Sequence, residues 1–258
     1  EPEAIVVLSD IIKDDAAETI SFFTENGVDV KIISGDSAHT VYGIAKRAKI
    51  KGCERYINVN ELTDEELEEC ADKYTIFGRV LPEQKKKLII ALKKKGHKTA
   101  MIGDGVNDVL ALREADCSAA MASGSSAAGS VAQFILLDSK LSSLYTIVME
   151  GRRAINNIQR SASLFLSKTI YSFLLSAIFM FVPLSYPFKP IQLTLISAIV
   201  IGIPSFILAM EPNKSKLKGD FMKRIITTAI PAALVIVIHV LISSIYGSIL
   251  DYNTRELS

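Results

Sequence analysis

The sequence predicts an α/β domain built on a parallel sheet, then one long helix, then a bundle of helices suited to a lipid bilayer. Three observations carry this. Up to about residue 150, short apolar runs alternate with segments of helical spacing, the pattern of a parallel sheet covered on both faces. The stretch "MIGDGVNDVLAL", residues 101–112, sets Asp104 and Asp108 among apolar residues and two glycines. From residue 164 onward, long runs are almost free of charge.

The elements follow in order. "AIVVLSD" reads as a buried strand, and "DDAAETISFFTENG" as a helix stopped at Gly27. "VDVKIISGD" is a strand, and "SAHTVYGIAKRAKI" a helix with Ser37 in the capping place. "TDEELEECADKY" is a polar helix capped by Thr63, and "TIFGRV" a short strand. "LPEQKKKLIIALKKKG" is a helix opened by Pro82 and closed by Gly96. "KTAMIGD" is a strand, "VNDVLALREA" a helix, and "AQFILLD" the last strand. A stalk helix begins near Leu141, with no proline until Pro183.

Composition bounds the function less than its distribution does. The chain is 49% hydrophobic with a net charge of +1, an average over two unlike halves. Cys53, Cys70 and Cys117 lack metal-ligand spacing and read as ordinary thiols. There is no start methionine, and the chain opens inside a strand-like run; a piece of a longer polypeptide is expected. No nucleic-acid partner is expected.

Ligands of parallel sheets sit at the carboxyl ends of the strands. Asp10, the pair Ser34 and Asp36, and Asp104 all stand at such ends, and Asp108 falls in the first turn of the next helix. Two carboxylates aimed at one crevice repel unless a cation lies between them. Oxygen ligands at a helix N-terminus suit magnesium bridging a phosphate. "GDG" alone reads equally as a capped turn, Ser34 as a helix-entry cap, and Lys85 as one more solvated lysine of "KKK".

The set is larger than "GDG". "SGD", "PEQK" and "GDGVND" followed by "AL" and "AD" occur in that order. Together they resemble the phosphorylation domain of P-type ATPases, within the haloacid dehalogenase-like superfamily, whose sheet is Rossmann-like. The resemblance covers essentially the whole chain. It implies that Asp104 is the direct magnesium ligand, with Asn107 and Asp108 supporting the metal and the phosphate. It implies that Lys85 neutralises the phosphoryl group and that Ser34, followed by Gly35, binds its oxygens. Asp36 then faces the nucleotide. Asp10 and Lys13 match a hinge pair that is usually Asp and Arg, so the lysine loses a bidentate contact. Mg2+ and ATP are the implied cofactors. The family's phosphorylated aspartate lies in "DKTGT", a stretch the chain does not contain. The chain alone is therefore expected to be inactive, with actuator, nucleotide-binding domain and earlier membrane helices elsewhere in the polypeptide.

The resemblance divides the chain into 1–139, the distal phosphorylation domain, and 140–163, the stalk. Spans 164–184, 191–210 and 225–250 become the fifth, sixth and seventh membrane helices. Each has the length to cross hydrocarbon. The loop before the third span carries Lys214, Lys216, Lys218, Lys223 and Arg224, whereas "SYPFKP" carries only Lys189. The basic loop should face the cytoplasm. A multi-pass protein of the cell membrane, with residues 1–163 cytoplasmic, is expected. The stalk's basic "EGRRAINNIQR" suits lipid headgroups as well.

The function implied is ATP-driven cation transport, most like bacterial calcium-uptake pumps. A lipid-translocating P-type ATPase and a membrane-tethered phosphatase of the same superfamily are the alternatives. The spans hold no aspartate or glutamate, and Ile201 stands where a calcium pump's sixth helix has aspartate. The matching fifth-helix position is Ser172, with Lys168 one turn before it on the same face. Lys168 either snorkels to water or lies by the transport site as a built-in cation. Gly202 and Pro204 should break the sixth helix. Freed carbonyls and the hydroxyls of Ser172, Ser197 and Ser205 would then coordinate the ion.

Overall fold

A computed structural model describes residues 14–182, 186–217 and 219–256. The strand expected over "AIVVLSD", with Asp10 and Lys13, lies outside these residues, as do Pro183 and Lys218. Two compact units meet in the sequence between Ile147 and Val148.

In the first unit helices and strands alternate: α1 (Asp14–Glu25), β1 (Ile32–Ile33), α2 (Ala38–Arg47), β2 (Tyr56–Asn58), α3 (Asp64–Cys70) and β3 (Ile76–Gly78). There follow α4 (Pro82–Lys94), β4 (Ala100–Gly103), a 3-10 turn (Val106–Asp108) and α5 (Val109–Glu114). The unit continues with β5 (Cys117–Met121), α6 (Ser126–Val131) and β6 (Phe134–Leu136). Every strand pair among the described residues is parallel, in two three-stranded sheets ordered β1-β3-β2 and β4-β5-β6. This is the expected α/β class.

Three elements depart from the sequence reading. β2 is a three-residue strand, and β5, "CSAAM", is made of small residues without the β-branched signature of strands. α6 is a single short helix capped by Ser125, whose Oγ accepts the Ala128 amide at 3.1 Å. Small size is the reason for β5. Ala120 and Ala128 are fully buried against Ala111 and Leu112, so helices pack directly on the strand.

Helix entries are built partly as expected. Thr63 and Glu66 form a reciprocal capping box at α3. Ser37 stands at the entry of α2 but makes no capping bond. The Ala38 amide instead donates to Asn58 Oδ1 at 2.8 Å, from the end of β2. A cap supplied across strands is invisible to local spacing. It ties α2 to the central strand's neighbour.

The second unit holds most of α7 (Ser142–Phe181), one continuous helix of 40 residues, together with α8 (Pro190–Ile196), α9 (Ile203–Met210) and α10 (Phe221–Glu256). Three stretches, Ser142–Phe181, Pro190–Met210 and Phe221–Ile249, are long and apolar enough to cross a membrane. The expected break at Gly202 and Pro204 is absent. A π-helical segment, Ser197–Gly202, joins α8 to α9 without interruption. Widening by one residue per turn accommodates Pro204 without ending the helix.

α7 presents two stripes. Gln159, Ser163, Ser167, Tyr171 and Leu175 recur at helical spacing and are all buried. They meet α10: Ser167 Oγ donates to Ala229 O at 3.3 Å, and Tyr171 and Leu175 pack with Ala233 and Val237. Ala229 and Ala233 are fully buried, so the helices approach closely. The second stripe, Asn157 and Lys168, meets the α8–α9 span.

Replacing Asn58 by Ala removes the α2 cap. We expect a loss of about 1 kcal/mol, read as roughly fivefold faster hydrogen exchange at the Ala38 amide. Ser37→Ala should leave that rate unchanged.

Candidate functional site

The chain turns sharply after β4, and the turn dictates which residues it can hold. Gly103 ends β4, and a Cβ there would lie 2.6 Å from the Asp108 Cβ. Only glycine lets the 3-10 turn fold back so closely. The Gly105 amide then donates to Asp108 Oδ2 at 3.2 Å, which fixes the carboxylate. Asp104 is held through its backbone: its carbonyl accepts the Ser125 amide at 2.7 Å, and a Cβ on Gly124 would lie 2.4 Å from that carbonyl oxygen. Gly124 and Ser125 were not singled out from the sequence. Their only signal is the small-residue turn "SGSS".

Asp108 faces a lysine. Lys85 Nζ lies 2.6 Å from Asp108 Oδ1, and the residues are 8% and 7% exposed. A buried charge of either sign without its partner is costly, so each holds the other in place. α4 aims the lysine inward. Pro82 opens the helix, Gln84 Oε1 accepts the Leu81 amide, and Gln84 Nε2 donates to Val59 O at 3.1 Å. Lys85 is thereby fixed one turn into α4, while nearby Lys87 reaches outward to Asp64 in an exposed pair.

Asp104 and Asn107 are exposed, and neither side chain bonds to a described residue. The two aspartates therefore differ: one carboxylate is buried on a lysine and a backbone amide, the other is open. The repulsion expected between them is relieved at Asp108 by Lys85. No group of three or more His, Cys, Asp or Glu residues able to hold a metal occurs among the described residues. A free carboxylate beside an amide side chain fits magnesium, which keeps several waters and takes few protein ligands.

Ser34, Gly35 and Asp36 continue from β1. The Ser34 amide donates to Phe77 O at 2.9 Å, and Ser34 O accepts from the Val80 amide at 3.0 Å. Ser34 Oγ accepts the Asp36 amide at 3.1 Å and lies 3.5 Å from Asp36 Oδ2. The side chains of Ser34 and Asp36 thus bond within their own turn, and none bonds to Lys85, Asp104 or Asp108. A Cβ on Gly35 would meet nothing within 4 Å, so the fold itself leaves that position open.

In the second unit, Lys168 Nζ donates to Ser197 Oγ, and Ser197 Oγ donates to Leu193 O at 2.6 Å. Ser205 Oγ is buried and has no hydrogen-bond partner among the described residues. The Ser172 hydroxyl, half-buried, bonds to no described residue. A cluster that the sequence reading passed over stands on α7. Asn157 Nδ2 donates to Ala209 O at 3.2 Å and Glu211 O at 2.9 Å, and Asn156 Nδ2 to Ser215 O at 3.0 Å. Gln159 reaches Phe221 O, and Arg160 pairs with Glu211. Two adjacent asparagines are unfavourable inside a helix unless they serve a partner elsewhere, which is the signal that "NNIQ" offered.

Residues 1–116 match the haloacid dehalogenase-like hydrolase family. Over 99% of its length the chain is 43% identical to a probable cation-transporting ATPase, exp7, of Streptococcus pneumoniae, of which it covers 34%. Over 91% it is 45% identical to the calcium-transporting ATPase CtpE of Mycolicibacterium smegmatis, of which it covers 31%. The chain spans about a third of the length of these curated relatives. A solved catalytic domain of the CPx-ATPase CopB-B is 28% identical, with a TM-score of 0.43, over 54% of this chain and 46% of that one.

Lys85→Met should strand a buried carboxylate and cost about 3 kcal/mol. Lys86→Ala, one residue away, should change stability by less than about 0.5 kcal/mol. Thermal unfolding of the two variants in detergent checks the contrast.

Proposed function

We propose that this chain, which fits a fragment of a P-type ATPase, is the part of an ATP-driven cation pump that receives the phosphoryl group's charge and carries three of its membrane spans. The observation that supports this best is the buried Lys85–Asp108 pair beside the open carboxylate of Asp104, within a haloacid dehalogenase-like domain.

A phosphoryl group in transfer is dense in negative charge, and its transfer needs position and electrostatic stabilisation above all. Asp104 would hold magnesium, with Asn107 beside it; bound magnesium would neutralise phosphoryl oxygens. Asp108 orients the Lys85 ammonium, and Lys85 would meet the phosphoryl group with the donors it has left. Ser34 and Gly35 would bind phosphoryl oxygens with a hydroxyl and a backbone amide that no side chain obstructs. Asp36, with Asp10 and Lys13, would serve the nucleotide side. The phosphorylated aspartate, the nucleotide-binding and actuator parts and the earlier membrane helices would come from the remainder of the polypeptide. Lys214 and Lys216 in the α9–α10 loop, with Lys223 and Arg224 in the first turn of α10, favour a cytoplasmic face for that end. The first unit would then lie in the cytoplasm and the spans in the cell membrane. In the spans, Ser172, Ser197 and Ser205 would offer hydroxyls to the transported cation, for which Ca2+ is the first candidate.

The test is phosphoenzyme formation from ATP in the intact ATPase. Asp104→Asn should reduce it at least about 100-fold while leaving the fold unchanged, because the Asp104 carboxylate bonds to none of the described residues. Lys85→Ala should suppress it and Lys86→Ala should not. Normal phosphoenzyme in Asp104→Asn overturns the reading. ATPase stimulation by phospholipid and not by Ca2+ would replace a cation by a lipid as substrate.

A further inference from the structure

The connection between α9 and α10 is densely basic. Residues 214–224 hold Lys214, Lys216, Lys218, Lys223 and Arg224 against one acid, Asp220. The apolar stretches Pro190–Met210 and Phe221–Ile249 run into it from either side, so with both in a bilayer the connection lies at one surface. Bonds from α7 fix it there. Asn157 Nδ2 donates to Glu211 O at 2.9 Å, Asn156 Nδ2 to Ser215 O at 3.0 Å, and Gln159 Nε2 to Phe221 O at 3.4 Å.

The acids at this end are already engaged. Residues 148–224 contain three, Glu150, Glu211 and Asp220. Glu150 pairs with Arg153 at 3.0 Å and lies 4.0 Å from Lys214, and Glu211 pairs with Arg160. Asp220 caps α10, its Oδ1 accepting the Met222 amide at 2.8 Å and the Lys223 amide at 3.3 Å. Lys216 and Lys223 are exposed and form no ion pair with a described residue. Lys223 and Arg224 also stand in the first turn of a 36-residue helix that has no acid in that turn. The positive end of the helix dipole disfavours cations there. A helix start arranged this way is stabilised by an anion from outside the chain.

The residues between the cations indicate what carries that anion. Leu217, Phe221 and Met222 are exposed. Apolar side chains interleaved with lysines at the end of a span suit the boundary of headgroups and acyl chains. The apolar groups enter it while the ammonium groups stay with the phosphates. Position between two spans favours a lipid over a soluble acidic partner, since the bilayer surface is already there. We infer that residues 214–224 form a docking surface for anionic phospholipid. Lys216 and Lys223 meet headgroup phosphates, and Leu217, Phe221 and Met222 lie at the acyl boundary. The inference rests on the reading of the spans as membrane helices, and not on which substrate is pumped. Through Asn156, Asn157 and Gln159, a lipid held here also steadies the connection against α7.

The test adds mixed micelles of phosphatidylcholine and phosphatidylglycerol to the intact ATPase and reads the lipid bound per protein by native mass spectrometry. ATP is absent, so the measurement does not depend on pumping. The parent should retain phosphatidylglycerol in preference to phosphatidylcholine. Lys216→Gln and Lys223→Gln should each weaken that binding about fivefold, and either carries the test if the other does not accumulate. Lys216→Arg keeps the charge and should bind as the parent does. Lys98→Gln, at an exposed lysine of the first unit, should change nothing. No preference for phosphatidylglycerol in the parent, or an equal loss in Lys98→Gln, overturns the docking surface. So does displacement of the lipid by an equal concentration of glycerol phosphate, which would mark a site for a soluble anion. Unchanged lipid in both glutamine variants overturns it as well; polyglutamate binding lost in those variants would then give the surface to an acidic protein. A parent that retains phosphatidylglycerol as expected but forms no phosphoenzyme overturns the pump reading and leaves the lipid surface standing.

Discussion

The buried pair of Lys85 and Asp108 is the constraint on which the first unit's site depends. It joins the opening of α4 to the 3-10 turn after β4. Much of what surrounds it exists to permit it: Gly103 admits the Asp108 Cβ, Gly105 donates to the second carboxylate oxygen, and Pro82 and Gln84 set the start of α4. Such a pair adds little net stability, because desolvation offsets attraction. Its effect is geometric. It holds a lysine with unused donors beside a turn whose other carboxylate, Asp104, stays open.

That division of labour between two aspartates four residues apart was only half legible. Sequence places both at the carboxyl end of a strand, where ligands bind. It does not say that one of three successive lysines turns inward to meet Asp108, because helical spacing gives all three the same local chemistry. Packing decides: Lys85 shares α4's buried face with Leu88 and Ile89, whereas Lys87 points to Asp64 in solvent. The ordered motifs, and the resemblance they carry, were more informative here than periodicity was.

The misses have a common physical origin. β5 is a strand of small residues that propensity alone disfavours, and α6 is only six residues long with a glycine inside it, so both form because neighbours pack on them. The α2 cap comes from Asn58, 20 residues away. Gly202 and Pro204 read as a helix break, but an apolar environment penalises unpaired backbone groups, and a π turn is the smaller departure. In each case a tertiary partner overrides a local preference.

The continuity of α7 turns chain length into a ruler. Asn157 grips the end of α9 and Lys168 touches the start of the π turn, and the two residues lie about three turns apart on one face. Between them, Gln159, Ser163 and Ser167 answer to α10, while the exposed Ile158 and Phe165 are free to vary in kind. The number of residues between is not. Adding or deleting one residue would rotate everything beyond it by about 100°, swinging the lysine off its hydroxyl while the asparagine stayed engaged. Descendants of this sequence should therefore drift by substitution across that interval and show almost no change in its length, as an encoded distance and not an encoded composition.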